Sequence, residues 1–330
     1  MISKSIRVLM GGCVVILTIV CLVACGKISE NKEIVMNLEN LHSGDAKFLG
    51  EDKVVTSVGG EMCVYEEDGA PFLNTGIKSN WLNVLDDGHI VIYSNEENQT
   101  GIVQFDDEYQ VKENQILLNT STLNIDPSII RIDDSWYFTV TEIVGNVNNA
   151  DEKSENGMYT VKLYKSDNLK DCEYVTDIVS AKTNIEDTDL VMIGNRMGLV
   201  YENEILDKKD SSIEIILSQN DNLYTWDKKI ELLKADCDHE PAVFKTLDKD
   251  EYVLYYSSDE ENPGESYMGG NMYCAVYDKN FNLLKETKIE SSLKNGILLY
   301  DVKEKDGSFY FLSAREYLTD CDLVVEEISE

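Results

Sequence analysis

Three acidic side chains recur at one register of a repeated pattern. Asp126 lies three residues before Ile129, Asp187 three before Leu190 and Glu240 three before Val243. Two of the chain's four prolines, Pro127 and Pro241, directly follow Asp126 and Glu240. Acids that hold the same place in successive repeats converge if the repeats are arranged around an axis. Convergent carboxylates can divide general acid and general base work between a protonated and an ionised group, or together hold a cation. They also have a purely local reading, because Asp before a strand caps turns and Asp-Pro is a common loop element.

The elements that must position them are hairpins. An apolar strand, a short Asp/Gly/Lys turn and an aromatic or β-branched strand recur as "AKFLGEDKVVTSV", "WLNVLDDGHIVIYS", "SIIRIDDSWYFTV", "DLVMIGNRMGLVYE", "AVFKTLDKDEYVLYYS" and "ILLYDVKEKDGSFYFLS"; each is a strand-turn-strand signal. A second element follows in four copies, "FDDEYQV", "KSDNLKDCEYV", "SQNDNLYTWDKKIEL" and "YDKNFNLLKETKI", and reads as a third strand turning into a fourth. Four antiparallel strands per repeat predict an all-β fold, a β-propeller. The hairpin count favours six blades, with five as the alternative if the short first and last units merge. The last unit ends at its third strand, "DLVVEEI", so "EIVMNL" near residue 35 is placed to supply its outer strand and cover the edge.

In a propeller the first strand of each blade lines the axial channel, so the three acids should meet at one rim. The loops between second and third strands open on that same face. In these blades they read as long: "GNVNNADEKSENG", "ENEILDKKDSSI" and "DEENPGESYMGGN". Loops on a rigid scaffold commonly carry function.

Residues 124 to 290 resemble a known family. "DPSIIRIDDSWYFTVTE" with "LYKSDNLKDCEYV", and "HEPAVFK" with "EYVLYYSS", are similar to catalytic blades of glycoside hydrolase family 43 and related furanosidase-like propellers. The resemblance implies a five-bladed enzyme that cleaves arabinose-, xylose- or galactose-containing glycans with inversion. It places the general base on Asp126, the pKa-tuning and orienting aspartate on Asp187, and the general acid on Glu240. Inversion needs an ionised and a protonated carboxyl group roughly 6.5–9.5 Å apart, and a third carboxylate nearby would hold the acid's pKa up. The pattern departs from the family in that the acids lie in consecutive blades and two blades precede the first. A non-catalytic module that binds a glycan or a protein on the channel face is the alternative reading.

His239, Trp81 and Tyr267 are the substrate-binding candidates. His239 adjoins Glu240, Trp81 falls near a channel rim, and Tyr267 sits in a long loop; flat rings there can stack on a sugar, although a lone histidine and a strand tryptophan more often serve packing. No cofactor is expected, with an axial calcium ion the one option the acids leave open.

Lys4 and Arg7 precede an uncharged, mostly apolar run from Val8 to Val23 that ends in "LVAC". This reads as an export signal over residues 1–24 and resembles the lipobox of bacterial lipoproteins. The resemblance implies acylation of Cys25 and an outward-facing domain anchored in the cell membrane; residues 25–44 then read as a tether, and the repeats place the propeller over residues 45–330. Removing the signal takes the formal net charge from −33 to about −35, which argues against nucleic acid and anionic headgroups as partners. The remaining cysteines, Cys63, Cys172, Cys237, Cys274 and Cys321, show no CxxC spacing, so neither a zinc site nor a disulfide connectivity is read from them.

Overall fold

The computed structural model describes residues 31–85, 88–145, 157–205, 210–219, 222–248, 250–294 and 296–329. The stretch read as an export signal, Cys25 and most of the first long loop lie outside these residues. Among those described, the chain forms β1 (Asn31–Leu38), followed by β2 (Ser43–Leu49), β3 (Lys53–Val58), β4 (Glu61–Glu66) and β5 (Pro71–Lys78) in the first sheet. The second sheet holds β6 (Trp81–Val84), β7 (Ile90–Ser94), β8 (Gln99–Phe105) and β9 (Val111–Asn119). The third holds β10 (Leu123–Ile132), β11 (Ser135–Val144), β12 (Met158–Ser166) and β13 (Glu173–Ala181). In the fourth, β14 (Asn184–Ile193), β15 (Arg196–Ile205), β16 (Asp210–Gln219) and β17 (Asn222–Trp226) are joined by β18 (Ile230–Leu233), which pairs with β16. The fifth contains β19 (His239–Asp248), β20 (Glu251–Ser258), β21 (Asn271–Asp278) and β22 (Leu283–Lys288).

The sixth sheet closes the ring. β23 (Ile297–Lys305), β24 (Ser308–Arg315) and β25 (Asp322–Ser329) take β1 as their outer strand, in the order β1-β25-β24-β23. The protein is a six-bladed propeller, not the five-bladed one implied by the family resemblance. Residues 31–38, though within the stretch read as tether, form the outer strand that "EIVMNL" is placed to supply. The second long loop is also shorter than expected, because β15 runs to Ile205 and β16 begins at Asp210.

Local chemistry sets the hairpins. Between β23 and β24, Asp306 and Gly307 adopt φ values of 54° and 85°, the left-handed pair that a two-residue hairpin requires and that Asp-Gly tolerates. The blades cohere because their middle strands bury both faces. In β20, Tyr252, Leu254 and Tyr256 pack toward the fourth blade, whereas Val253 and Tyr255 pack toward the sixth. Apolar clusters occupy every junction between neighbouring blades, including the junction of the sixth with the first. Truncating a side chain such as Leu254, wholly removed from water, would cost about 2–5 kcal/mol. The channel thus has rigid walls.

Candidate active site

Asp126 and Asp187 occupy equivalent β-bulges. The pairing of β10 with β11 skips from Ile125 to Ser128, and that of β14 with β15 from Glu186 to Asp189. Both aspartates have left-handed backbones, with φ of 44° and 47°, a conformation that short polar side chains tolerate. A bulge re-aims the side chain it carries. Here it directs the acids to one cavity of about 110 Å³, whose lining also includes Glu240, Asp45, Lys47, Trp81, Tyr267 and Tyr317.

Hydrogen bonds join these walls. Asp187 donates its backbone N–H to Asp126 Oδ2 at 3.0 Å, and Thr188 Oγ1 donates to the Asp126 carbonyl at 2.8 Å. One layer below, Ser128 Oγ accepts the N–H of Leu190 at 2.9 Å and donates to Asp189 Oδ1 at 2.9 Å. Glu240, only 6% exposed, donates a carboxyl proton to the Asp187 carboxylate. Asp187 therefore stands between Asp126 and Glu240 and touches both.

Burial raises Glu240 well above the usual carboxylate range, and the charges of Glu202, Asp238 and Asp187 push it further. Its neutral acid form is thereby favoured. Burial and then Asp187 and Asp45 likewise raise Asp126, against the pull of the Asp187 N–H and Lys47. Asp187 reaches the water of the channel, yet the surrounding protein still desolvates it and raises its pKa; the Glu240 hydrogen bond and Lys47 oppose the rise.

Several of these groups escape the sequence pattern. Asp45, in the first blade, accepts the N–H of Leu82 through Oδ2 at 2.8 Å, and burial lifts it to about 6. Asp45 lies three residues before Phe48, so aligning that hairpin on Phe48-Leu49 places it in the acidic register. Lys47 donates to the Tyr300 carbonyl at 2.6 Å. Burial works against its charge, but Asp301, Asp45, Asp189 and Asp187 more than offset this and raise its pKa. Glu202, 3% exposed, comes from β15, and one of its oxygens lies within 4.8 Å of carboxylate oxygens of Asp187 and Glu240. That trio offers oxygen ligands a cation would accept, though burial and the neighbouring acids raise Glu240 and Glu202 toward their neutral forms.

Tyr267 is presented by a short 3-10 turn, Ser266–Met268. Asp259 Oδ2 accepts the N–H groups of Gly264 and Ser266 at 2.7 and 2.9 Å, and Ser266 Oγ donates to Asp238. The turn is thereby fastened to the start of β19, and Tyr267 meets Tyr317 edge-on at 5.2 Å. Trp81 and Tyr267 both line the cavity. His239 does not line it: neighbours along a strand point to opposite faces, and its ring packs instead against Tyr256 and Cys237.

No protein-family model matches the chain, and no curated protein matches it. Among solved structures, an endo-arabinase from Bacteroides thetaiotaomicron aligns with a TM-score of 0.51 and 13% identity, over 74% of this chain and 91% of its own. The fold is that of glycosidase propellers. An α-L-arabinofuranosidase from Fusarium graminearum aligns with a TM-score of 0.50 and 13% identity, over 76% of this chain and 91% of the other. A xylan β-1,4-xylosidase from Bacillus halodurans does so with a TM-score of 0.50 and 11% identity, over 75% of this chain and 52% of its own. The likeness is one of fold.

Proposed function

We propose that this glycosidase-like propeller hydrolyses glycosidic bonds by inversion at the channel mouth. The reading is carried by the meeting of Asp126, Asp187 and Glu240 around one cavity, with Glu240 protonated and hydrogen-bonded to Asp187. Glu240 would donate its proton to the leaving oxygen. Asp126 would take a proton from the attacking water. Asp187 is too close to Glu240 to leave room for a water between them, so it orients the acid and the acid–base pair is Asp126 with Glu240. Asp126 acts only once ionised, and its raised pKa moves the acid limb of activity above the ordinary aspartate range. Sugar release from arabinan, xylan and galactan oligosaccharides, compared between the protein and its Glu240→Gln variant, tests the proposal.

A second reading, a non-catalytic module that binds a glycan or a protein, has its own support. The cavity of about 110 Å³ is smaller than the 300–1,000 Å³ of common ligand pockets, and a buried cation, Lys47, stands among the acids of its lining. Binding without release would favour it.

We further propose that the protein is held on the outer face of the cell membrane through an acylated Cys25. Five residues lie between Cys25 and Asn31, and the six steps reach at most about 22 Å. Asn31 pairs with Ser329, at the end of β25 remote from Tyr317 and the cavity. A short tether would turn the opposite face toward the membrane and leave the carboxylates facing outward.

A further inference from the structure

The segment leading into β19 reads Lys234-Ala235-Asp236-Cys237-Asp238-His239. Alternation along an extended chain sends Cys237 and His239 to one side, and Asp238 and Glu240 to the other. The first side is distinct from the channel. There His239 Nε2 lies 3.4 Å from Cys237 Sγ and 3.6 Å from Asp236 Oδ1, and Sγ lies 3.8 Å from that same oxygen.

Those separations have a chemical meaning. Metal bonds of about 2.3 Å to sulfur and about 2.0–2.2 Å to nitrogen and oxygen, at tetrahedral angles, put ligand atoms roughly 3.4–3.6 Å apart. Sulfur, imidazole and carboxylate are also the donor set that a borderline-soft divalent ion accepts. We propose that Asp236, Cys237 and His239 form a binding site for a zinc-like divalent cation. The Lys234 carbonyl, 3.1 Å from Nε2, or a water molecule completes the fourth position.

The surroundings favour a cation. Cys237 and His239 are 3% and 5% exposed, whereas the side chain of Asp236 is 76% exposed and gives the ion a way in. Asp259 and Glu260 add negative charge around the thiol. Without the ion, burial holds the thiol up at about 12 and the imidazole down in its neutral form. A carbonyl only accepts, so Nε2 then carries the proton that it donates to Lys234. On binding, the thiol proton is released to solvent, the imidazole proton moves to Nδ1, and the thiolate and Nε2 lone pairs bind the metal. The clip would fasten the segment that delivers Glu240, and the site stands whether or not the channel is catalytic.

The test is a titration of the purified, chelator-stripped protein with Co²⁺, followed by displacement with Zn²⁺. The expected result is one cobalt per chain, with a thiolate-to-cobalt charge-transfer band and the intense visible bands of four-coordination. Affinity should rise with pH as the thiol proton is lost, and Zn²⁺ should raise the melting temperature. Cys237→Ser should abolish the charge-transfer band with the far-ultraviolet circular dichroism intact. Asp236→Ala, at an exposed position, should weaken binding at least tenfold without unfolding the chain, whereas Glu202→Gln should leave the band unchanged. Absence of the band, its persistence in Cys237→Ser, or full affinity in Asp236→Ala would overturn the proposal.

Discussion

Asp126 and Asp187 are joined across the third and fourth blades by the backbone N–H of one and the carboxylate of the other, 3.0 Å apart. The bond fastens one blade to the next and also fixes the orientation of the Asp126 carboxylate, so stability and activity should separate on mutation. Asp126→Asn keeps an acceptor and should unfold in urea within about 1 kcal/mol of the parent while losing all turnover. Asp126→Ala hands this exposed N–H to water and should cost about 0.5–1.5 kcal/mol, the net worth of one hydrogen bond.

Protonation of the channel gives the protein an unusual pH profile. Asp45 rises from an unfolded value of 3.8 to about 6 in the fold. The native state therefore binds its proton more tightly, and stability is greatest below 3.8 and falls as pH rises toward 6. Asp126, Glu202 and Glu240 are raised in the same direction. Melting temperature should climb between pH 7.5 and pH 5. In Asp45→Asn that slope should flatten, with the variant the more stable protein at pH 7.5 by as much as about 3 kcal/mol.

Lys47 is the opposing charge. Lys47→Met removes the cation that steadies Asp45, Asp126 and Asp187, so their pKa values should rise. The loss should be about 3–5 kcal/mol near neutral pH and smaller at pH 5, where those acids take up protons. A denaturant series at both pH values measures it.

The repeat was legible because each blade buries two faces, which leaves strongly apolar strands punctuated by Asp, Gly and Lys turns. The outer strand from residues 31–38 was legible from the missing strand at the other end of the chain. Asp126, Asp187 and Glu240 share a register, and their convergence follows from it. Glu202 was hidden because it projects from the second strand of its blade, outside the register that Asp126, Asp187 and Glu240 share. Tyr317 was hidden for another reason: its approach to Tyr267 depends on how the loops after β20 and β24 fold over the rim. For His239, the alternation of strand neighbours outweighed its adjacency to Glu240.

The proposed anchor makes a prediction of its own. Cys25→Ala should abolish incorporation of a fatty-acid analogue and leave an uncleaved precursor or a released protein. On intact vesicles, a fluorophore on Asp306→Cys, at the turn remote from the cavity, should be quenched by quencher-labelled lipid, and one on Thr319→Cys, beside Tyr317, should not. Equal quenching at both sites would contradict the orientation.

Glu240 bears the central claim, and the direct measurement is turnover of the parent, Glu240→Gln and Asp126→Asn on natural oligosaccharides and on aryl glycosides with good leaving groups. Glu240→Gln should lower turnover of the oligosaccharides by about two to four orders of magnitude, the usual scale of general acid catalysis, and that of the aryl glycosides far less, because a good leaving group needs little protonation. Asp126→Asn should abolish both. A parent protein that releases no sugar from either class, or variants that match the parent, would contradict the account and leave the carboxylates as binding groups.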